Sequence, residues 1–124
     1  MKVGFDVIDV TEISTALETF GFRYLQKVSS PREFREYQQM DRPVVSTIAQ
    51  RFALKEAVVK ALPALSGAMS WRDLDVQLDD GVWSLSPSER ANNRLRLDWP
   101  SSIHVSVSVN RSRAWACVVV DTEE

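Results

Sequence analysis

The longest stretch of helical periodicity in this chain, Val44 to Leu62, follows Pro43 and stops at Pro63, and every other element has to be arranged around it. Pro63 has no N–H to donate and its ring blocks the preceding turn, so the helix cannot run further. The apolar residues Ile48, Phe52, Val59 and Leu62 fall on or near one stripe, which needs a surface to cover it. A chain of 124 residues has room for one such core, so residues 1–124 read as a single domain. Hydrophobic residues at 44% and charged residues at 26%, with four glycines and five prolines, exclude collagen-like, low-complexity and disordered classes.

The flanking segments supply that surface. Lys2 to Val10 reads as a strand in which Val3, Phe5 and Val7 alternate with Gly4 and Asp6, and this strand is expected to start the core. From Thr11 the period changes: Ile13, Leu17 and Phe20 share a helical face, with Gly21 as the stop. A short basic amphipathic piece, Phe22 to Val28, leads to Ser30-Pro31-Arg32-Glu33, where Ser30 caps, Pro31 suits the first helical position and Glu33 completes a capping box for a helix to about Gln39. Beyond Pro63 the period becomes two. Leu74, Val76 and Leu78 alternate with Asp73, Asp75 and Gln77, and Asp80-Gly81 turns the chain into Val82–Leu85. Residues 86–100 read as a loop with a helical turn, and Ile103–Val109 and Ala114–Asp121 as two closing strands. Helices first and strands later predict an α+β fold, a small and mainly antiparallel sheet packed with the long central helix.

Fifteen Lys and Arg against seventeen Asp and Glu give a formal charge of -2, so no overall basic field recruits nucleic acid or an anionic membrane. Cys117 is the lone cysteine and is expected as a buried small hydrophobe; one thiol makes no internal disulfide, which fits a reducing compartment. The first acid, Asp6, comes before any apolar run, and no stretch of about 18 apolar residues exists, so a cytoplasmic protein is expected. Trp71, Trp83, Trp99 and Trp115 read as core or interface residues.

Chemistry concentrates in few places. Glu56 and Lys60 stand four apart on one face of the central helix; the same spacing describes an ordinary surface ion pair worth a few tenths of a kcal/mol. Asp6 adds weight, because an acid inside an apolar strand is costly unless a cation neutralises it. A strand carboxylate plus a helix carboxylate is a common supply for Mg²⁺, which keeps waters and completes its shell with phosphate oxygens. On the penultimate strand Ile103, Val105, Val107 and Val109 share one face, and His104, Ser106, Ser108 and Asn110 the other, which is also the pattern of a plain solvent-facing side.

In order along the chain, four segments carry a resemblance: Gly4-Phe5-Asp6-Val7; the run Arg51-Phe52-Ala53-Leu54-Lys55-Glu56-Ala57-Val58-Val59-Lys60-Ala61; Trp71-Arg72-Asp73-Leu74-Asp75-Val76; and His104-Val105-Ser106 followed by the apolar strand Ala114–Val120. Together they resemble the 4'-phosphopantetheinyl transferases of the holo-acyl-carrier-protein synthase type over nearly the whole chain. The resemblance implies that fold and an enzyme in which Mg²⁺ held by Asp6 and Glu56 grips the pyrophosphate of coenzyme A. A carrier-protein serine attacks the β-phosphate and 3',5'-ADP leaves, with Lys60 holding phosphate oxygens or assisting proton movement. It further implies coenzyme A contacts from Arg51, Lys55, Lys60, Ser66, Gly67, His104, Ser106 and Arg111, an acyl carrier protein or related carrier domain as partner, and a homotrimer sharing its sites between neighbours.

Three positions depart from the family pattern. Pro63-Ala64-Leu65-Ser66-Gly67 stands where a Gly-x-Gly usually follows the helix, Val109 follows Ser108 where a Ser-His pair is frequent, and Glu12 occupies the place of an arginine that meets the acidic carrier. Basic residues lie close by. Arg23, Lys27, Arg32 and Arg35 against Glu33 give residues 19–35 a net charge of +3, so Glu12, Arg23 and Lys27 are the docking candidates, with a solvated helix surface as the other reading. The rival function is a non-catalytic relative that keeps the fold to bind coenzyme A or a carrier protein.

Overall fold

The computed structural model describes residues 1–65, 69–95 and 103–121. In chain order the elements are β1 (Lys2–Asp9), α1 (Val10–Phe20), α2 (Phe22–Val28), α3 (Pro31–Gln38), α4 (Val45–Ala61), 3-10 turns at Pro63–Leu65 and Trp71–Asp73, β2 (Leu74–Asp79), β3 (Val82–Pro87), α5 (Glu89–Leu95), β4 (Ile103–Val109) and β5 (Arg113–Val120). The α+β arrangement is the expected one, and every strand pair among the described residues is antiparallel. The strands divide into two sheets: β1-β5-β4, and the β2-β3 hairpin by itself. Helix α1 begins one residue earlier than the periodicity placed it, and α5 occupies part of the expected loop.

Helix α4 is enclosed on more than one side. Ala49, Ala53, Ala57 and Ala61 recur every fourth residue, are all buried, and form one narrow face. The three-stranded sheet lies on it so closely that a Cβ on Gly4 would overlap the carbonyl oxygen of Ala57 and stand 2.7 Å from the amide nitrogen of Ala61. Glycine at this position is what lets β1 reach the helix. The stripe read from the large side chains is only half right: Ile48 and Leu62 are buried, whereas Phe52 and Val59 are partly exposed.

Strand β1 joins the core through its small and polar residues. Gly4 and Asp6 point at α4, while Val3, Phe5 and Val7 lie on the opposite face and remain exposed. Cross-strand register carries that outer face over the sheet, with Phe5 opposite Cys117 and Cys117 opposite Ser106, and Val7 opposite Trp115 and Trp115 opposite Ser108. Cys117 is therefore half-buried on an outer surface, not a core thiol.

The hairpin is tied down by α3. Asp80 and Gly81 both take positive φ, 49° and 77°, as a tight two-residue hairpin turn requires. The free edge of β2 is satisfied by side chains: Val76 N–H donates to Glu33 Oε2 at 2.6 Å, and Arg32 Nη2 donates to the Val76 carbonyl at 2.7 Å. Ser30 and Glu33 form the expected capping box. No described helix is long and apolar enough to cross a membrane.

Candidate active site

Close approach of β1 to α4 brings Asp6 beside the C-terminal half of the helix. Lys60 Nζ donates to Asp6 Oδ1 at 2.5 Å. Asp6 is only 8% exposed, and its second oxygen, Oδ2, is buried without a hydrogen-bond partner. A carboxylate oxygen left so is expensive, and one cation on its other oxygen does not satisfy it. Glu56, one turn before Lys60, is partly buried, and burial followed by the charge of Asp6 pushes its carboxyl above the usual range against the pull of Lys60. The direct bond to Asp6 raises Lys60, whose side chain is 54% exposed.

Two carboxylates that repel each other, one with an orphaned oxygen, suit a hard divalent cation that retains waters and takes substrate oxygens as remaining ligands. Among the described residues no cluster of three or more His, Cys, Asp or Glu side chains exists that could hold a metal by protein ligands alone.

Other expected contacts lie elsewhere. Lys55 is fully enclosed, donating to Glu33 Oε1 at 2.6 Å, the Val28 carbonyl at 2.9 Å and the Trp71 carbonyl at 3.2 Å. Its three protons are thus used inside the fold, and none is left for a phosphate. Arg51 is likewise buried, with Nη2 on both oxygens of Glu36 and its guanidinium 5.2 Å from the Tyr37 ring centre; Nε and Nη1 are buried without hydrogen-bond partners. Burial pushes the Tyr37 hydroxyl up to about 12, so this ring stays neutral. Ser66 and Gly67 lie outside the described residues, as does Trp99.

His104 and Ser106 sit on the outer sheet face, on the side opposite Asp6, where His104 Nε2 is 3.0 Å from Asp121 Oδ2. Arg111 is exposed in the β4–β5 turn. Within one copy of the chain the two groups of expected site residues are separated by the thickness of the sheet.

The docking candidates divide similarly. Arg23 and Lys27 line a cavity of about 470 Å³ together with Phe20, Tyr24, Phe52 and Trp71. Phe52 and Trp71 meet edge to face at 5.4 Å. Glu12 stands exposed in the first turn of α1, and its charge, after burial, raises the Tyr24 hydroxyl. Arg32 is unavailable: Nε bonds both oxygens of Asp75 at 2.9 Å and Nη1 bonds Glu36. Sequence reasoning missed the Phe52–Trp71 groove and the Glu33–Lys55 pair. Glu33 was legible as a capping residue, but its second partner comes from another helix.

A family profile described as the 4'-phosphopantetheinyl transferase superfamily matches residues 2–120. The holo-[acyl-carrier-protein] synthase of Paramagnetospirillum magneticum is 35% identical over 127 residues, covering 98% of this chain and 95% of that protein. That of Nitrobacter winogradskyi is 33% identical, covering 91% and 85%. Among solved structures, the holo-[acyl-carrier-protein] synthase of Neisseria meningitidis superposes with a TM-score of 0.85 at 27% identity, with 98% of each chain covered. The Helicobacter pylori enzyme, solved in complex with coenzyme A, shares the fold with a TM-score of 0.75 at 24% identity over 96% of this chain and 99% of that one. Sequence motifs, fold and relatives converge, and the chain belongs to the 4'-phosphopantetheinyl transferase superfamily, among its holo-[acyl-carrier-protein] synthases.

Proposed function

We propose that this chain transfers 4'-phosphopantetheine from coenzyme A to a serine hydroxyl of an acyl carrier protein, with Asp6 and Glu56 holding Mg²⁺ and Lys60 serving the phosphates. The observation that carries the reading is the buried Asp6 carboxylate, bonded by Lys60 on one oxygen and orphaned on the other, with Glu56 in electrostatic range. Bound Mg²⁺ would supply neutralisation of charge on the pyrophosphate oxygens. Asp6, inside the sheet and against α4, fixes one edge of the site. Lys60, on an exposed stem, exchanges Asp6 for a phosphate oxygen and steadies the charge that grows there as the serine oxygen bonds to the β-phosphorus and the bond to the 3',5'-ADP oxygen breaks.

A second copy of the chain completes the arrangement. The outer sheet face exposes Val3, Phe5 and Val7, an apolar surface of the kind that association covers. His104 and Ser106 border it, so copies packed through this face could bring those residues to a neighbour's coenzyme. We read the assembly as a homotrimer, and the lone thiol supports a cytoplasmic setting.

Mass spectrometry of several apo carrier proteins incubated with the chain, coenzyme A and Mg²⁺ tests the function. A phosphopantetheine mass increase is expected, lost in Asp6→Ala and in Glu56→Ala. Coenzyme A binding without any mass increase would establish the non-catalytic alternative, and undiminished turnover of both variants at limiting Mg²⁺ would remove the metal assignment.

A further inference from the structure

A cleft of about 250 Å³ lies where the N-terminus of α3 meets the turn Trp71–Asp73 and the end of β3, lined by Arg32, Arg35, Arg72, Asp73, Asp75 and Ser88. Most of its charges are already satisfied. Asp75 takes Arg32 on both oxygens, together with Ser30 Oγ and Gln77 Nε2. Asp73 takes Ser88 Oγ at 2.8 Å on one oxygen and the Ser70 amide at 2.9 Å on the other. Arg32 is consumed by Asp75, Glu36 and the Val76 carbonyl. Two groups remain. Arg35 and Arg72 are exposed, and among the described residues neither guanidinium has a hydrogen bond or ion pair. The cleft therefore presents two uncommitted planar cations, a match for carboxylates.

Its position says what carries those carboxylates. Lys60, Glu56 and Phe52 follow one another down a single face of α4 at roughly 6 Å per step. Phe52 meets Trp71 edge to face, and Arg72 is the next residue. Arg23 and Lys27 border the aromatic groove, and the groove adjoins the Arg35–Arg72 cleft where the chain passes from Trp71 to Arg72 and from Val28 to Ser30. A groove with aromatic walls, cations along its border and two more in the adjoining cleft complements an amphipathic segment with an apolar side chain between acidic ones.

We infer that Arg35 and Arg72 form a second anchor for an acidic surface helix of the carrier protein, in the cleft that adjoins the aromatic groove. This rests on the carrier-dependent reading above. Together with Arg23 and Lys27 the anchor compensates for Glu12, which puts an acid beside the same groove.

The test is the double variant Arg35→Glu/Arg72→Glu, with Arg35→Lys/Arg72→Lys beside it. The probe is a fluorescently labelled acidic apo acyl carrier protein, followed by anisotropy and by steady-state transfer. Both positions are exposed, so the melting temperature should be unchanged. The reversal is expected to raise the carrier Kd and KM by about tenfold at low ionic strength and less than about twofold at 0.5 M salt, with the KM for coenzyme A unmoved and the lysine pair nearly wild type. Equal carrier affinity in wild type and reversal variant at low salt, with transfer intact, overturns the anchor and leaves the transferase standing. A rise in the coenzyme A KM in place of the carrier KM overturns it too, assigning the cleft to a phosphate of the coenzyme. A wild-type chain that neither binds nor modifies any carrier overturns both readings.

Discussion

Glu56 bears a strain that can be measured without any assay of transfer. Burial and the neighbouring Asp6 raise its carboxyl pKa in the folded chain, so the fold favours its protonated form. The stabilising contribution is complete below the ordinary carboxylate range and is lost as pH rises through the folded value. Glu56→Gln should therefore melt roughly 1–3 °C higher than wild type at pH 7 without divalent ions, a modest gain because the partly buried side chain still meets screening solvent. The gap should close by pH 4, and Mg²⁺ should raise the melting point of wild type but not of the variant. Calorimetric melts between pH 4 and 8, with and without Mg²⁺, check all three; a variant less stable at pH 7 would show that Glu56 is not repelled there. At Lys60 the expectation is kinetic. Lys60→Ala should slow transfer by at least about tenfold, a larger effect than on stability, and Lys60→Arg should restore little of it. A melting-point change with normal turnover would return Lys60 to the status of a surface ion pair.

Contacts between elements decide whether those residues meet. Gly4→Ala forces a methyl group into the backbone of α4, which cannot retreat as a side chain would, so β1 must lift away. A loss of about 3 kcal/mol or more is expected, with coenzyme-dependent transfer falling in the molecules that still fold, read by denaturant titration and turnover together. Native stability in Gly4→Ala would mean that β1 stands off the helix. The Lys55–Glu33 pair does comparable work on the other side of α4, holding the end of α2, the start of α3 and the turn before β2 to one amine. Burial lowers the Lys55 pKa and Glu33 opposes that fall, the ordinary condition of an enclosed pair. Lys55→Met strands the Glu33 charge and should cost about 3–5 kcal/mol, of which adding Glu33→Gln recovers part because no charge then remains unpaired. Urea titrations of the single and double variants read this directly, and an additive double variant would show that the pair is not coupled.

For the whole molecule the telling surface is the outer face of the three-stranded sheet. Phe5 and Val7 are 53% and 40% exposed there, beside Trp115 and Cys117. Phe5→Asp should convert the proposed trimer to monomer in analytical ultracentrifugation and remove transfer along with it, since His104 and Ser106 would no longer reach a neighbour's site. The same variant leaves the side facing α4 untouched, so it should still fold. An active monomer would show that one copy holds a complete site.

What could be read along the chain were the features whose physical cause is local. Pro43 and Pro63 bound a helix by covalent geometry, Asp80-Gly81 turns a hairpin by its φ preference, and Ser30 with Glu33 caps a helix three residues away. Asp6 stood out because an acid in an apolar strand is anomalous wherever the strand goes. Alternation said that β1 has two faces, and could not say which one is the core. That choice came from packing: Ala57 and Ala61 leave space only for a strand presenting Gly4, which turns Asp6 inward and Phe5 out. Lys55 and Lys60 are the same residue five positions apart on one helix, yet one is sealed against Glu33 and the other stands 54% exposed on Asp6. Nothing local separates them, because a side chain's environment is set by the elements that helix packing brings against it, and those come from distant parts of the chain.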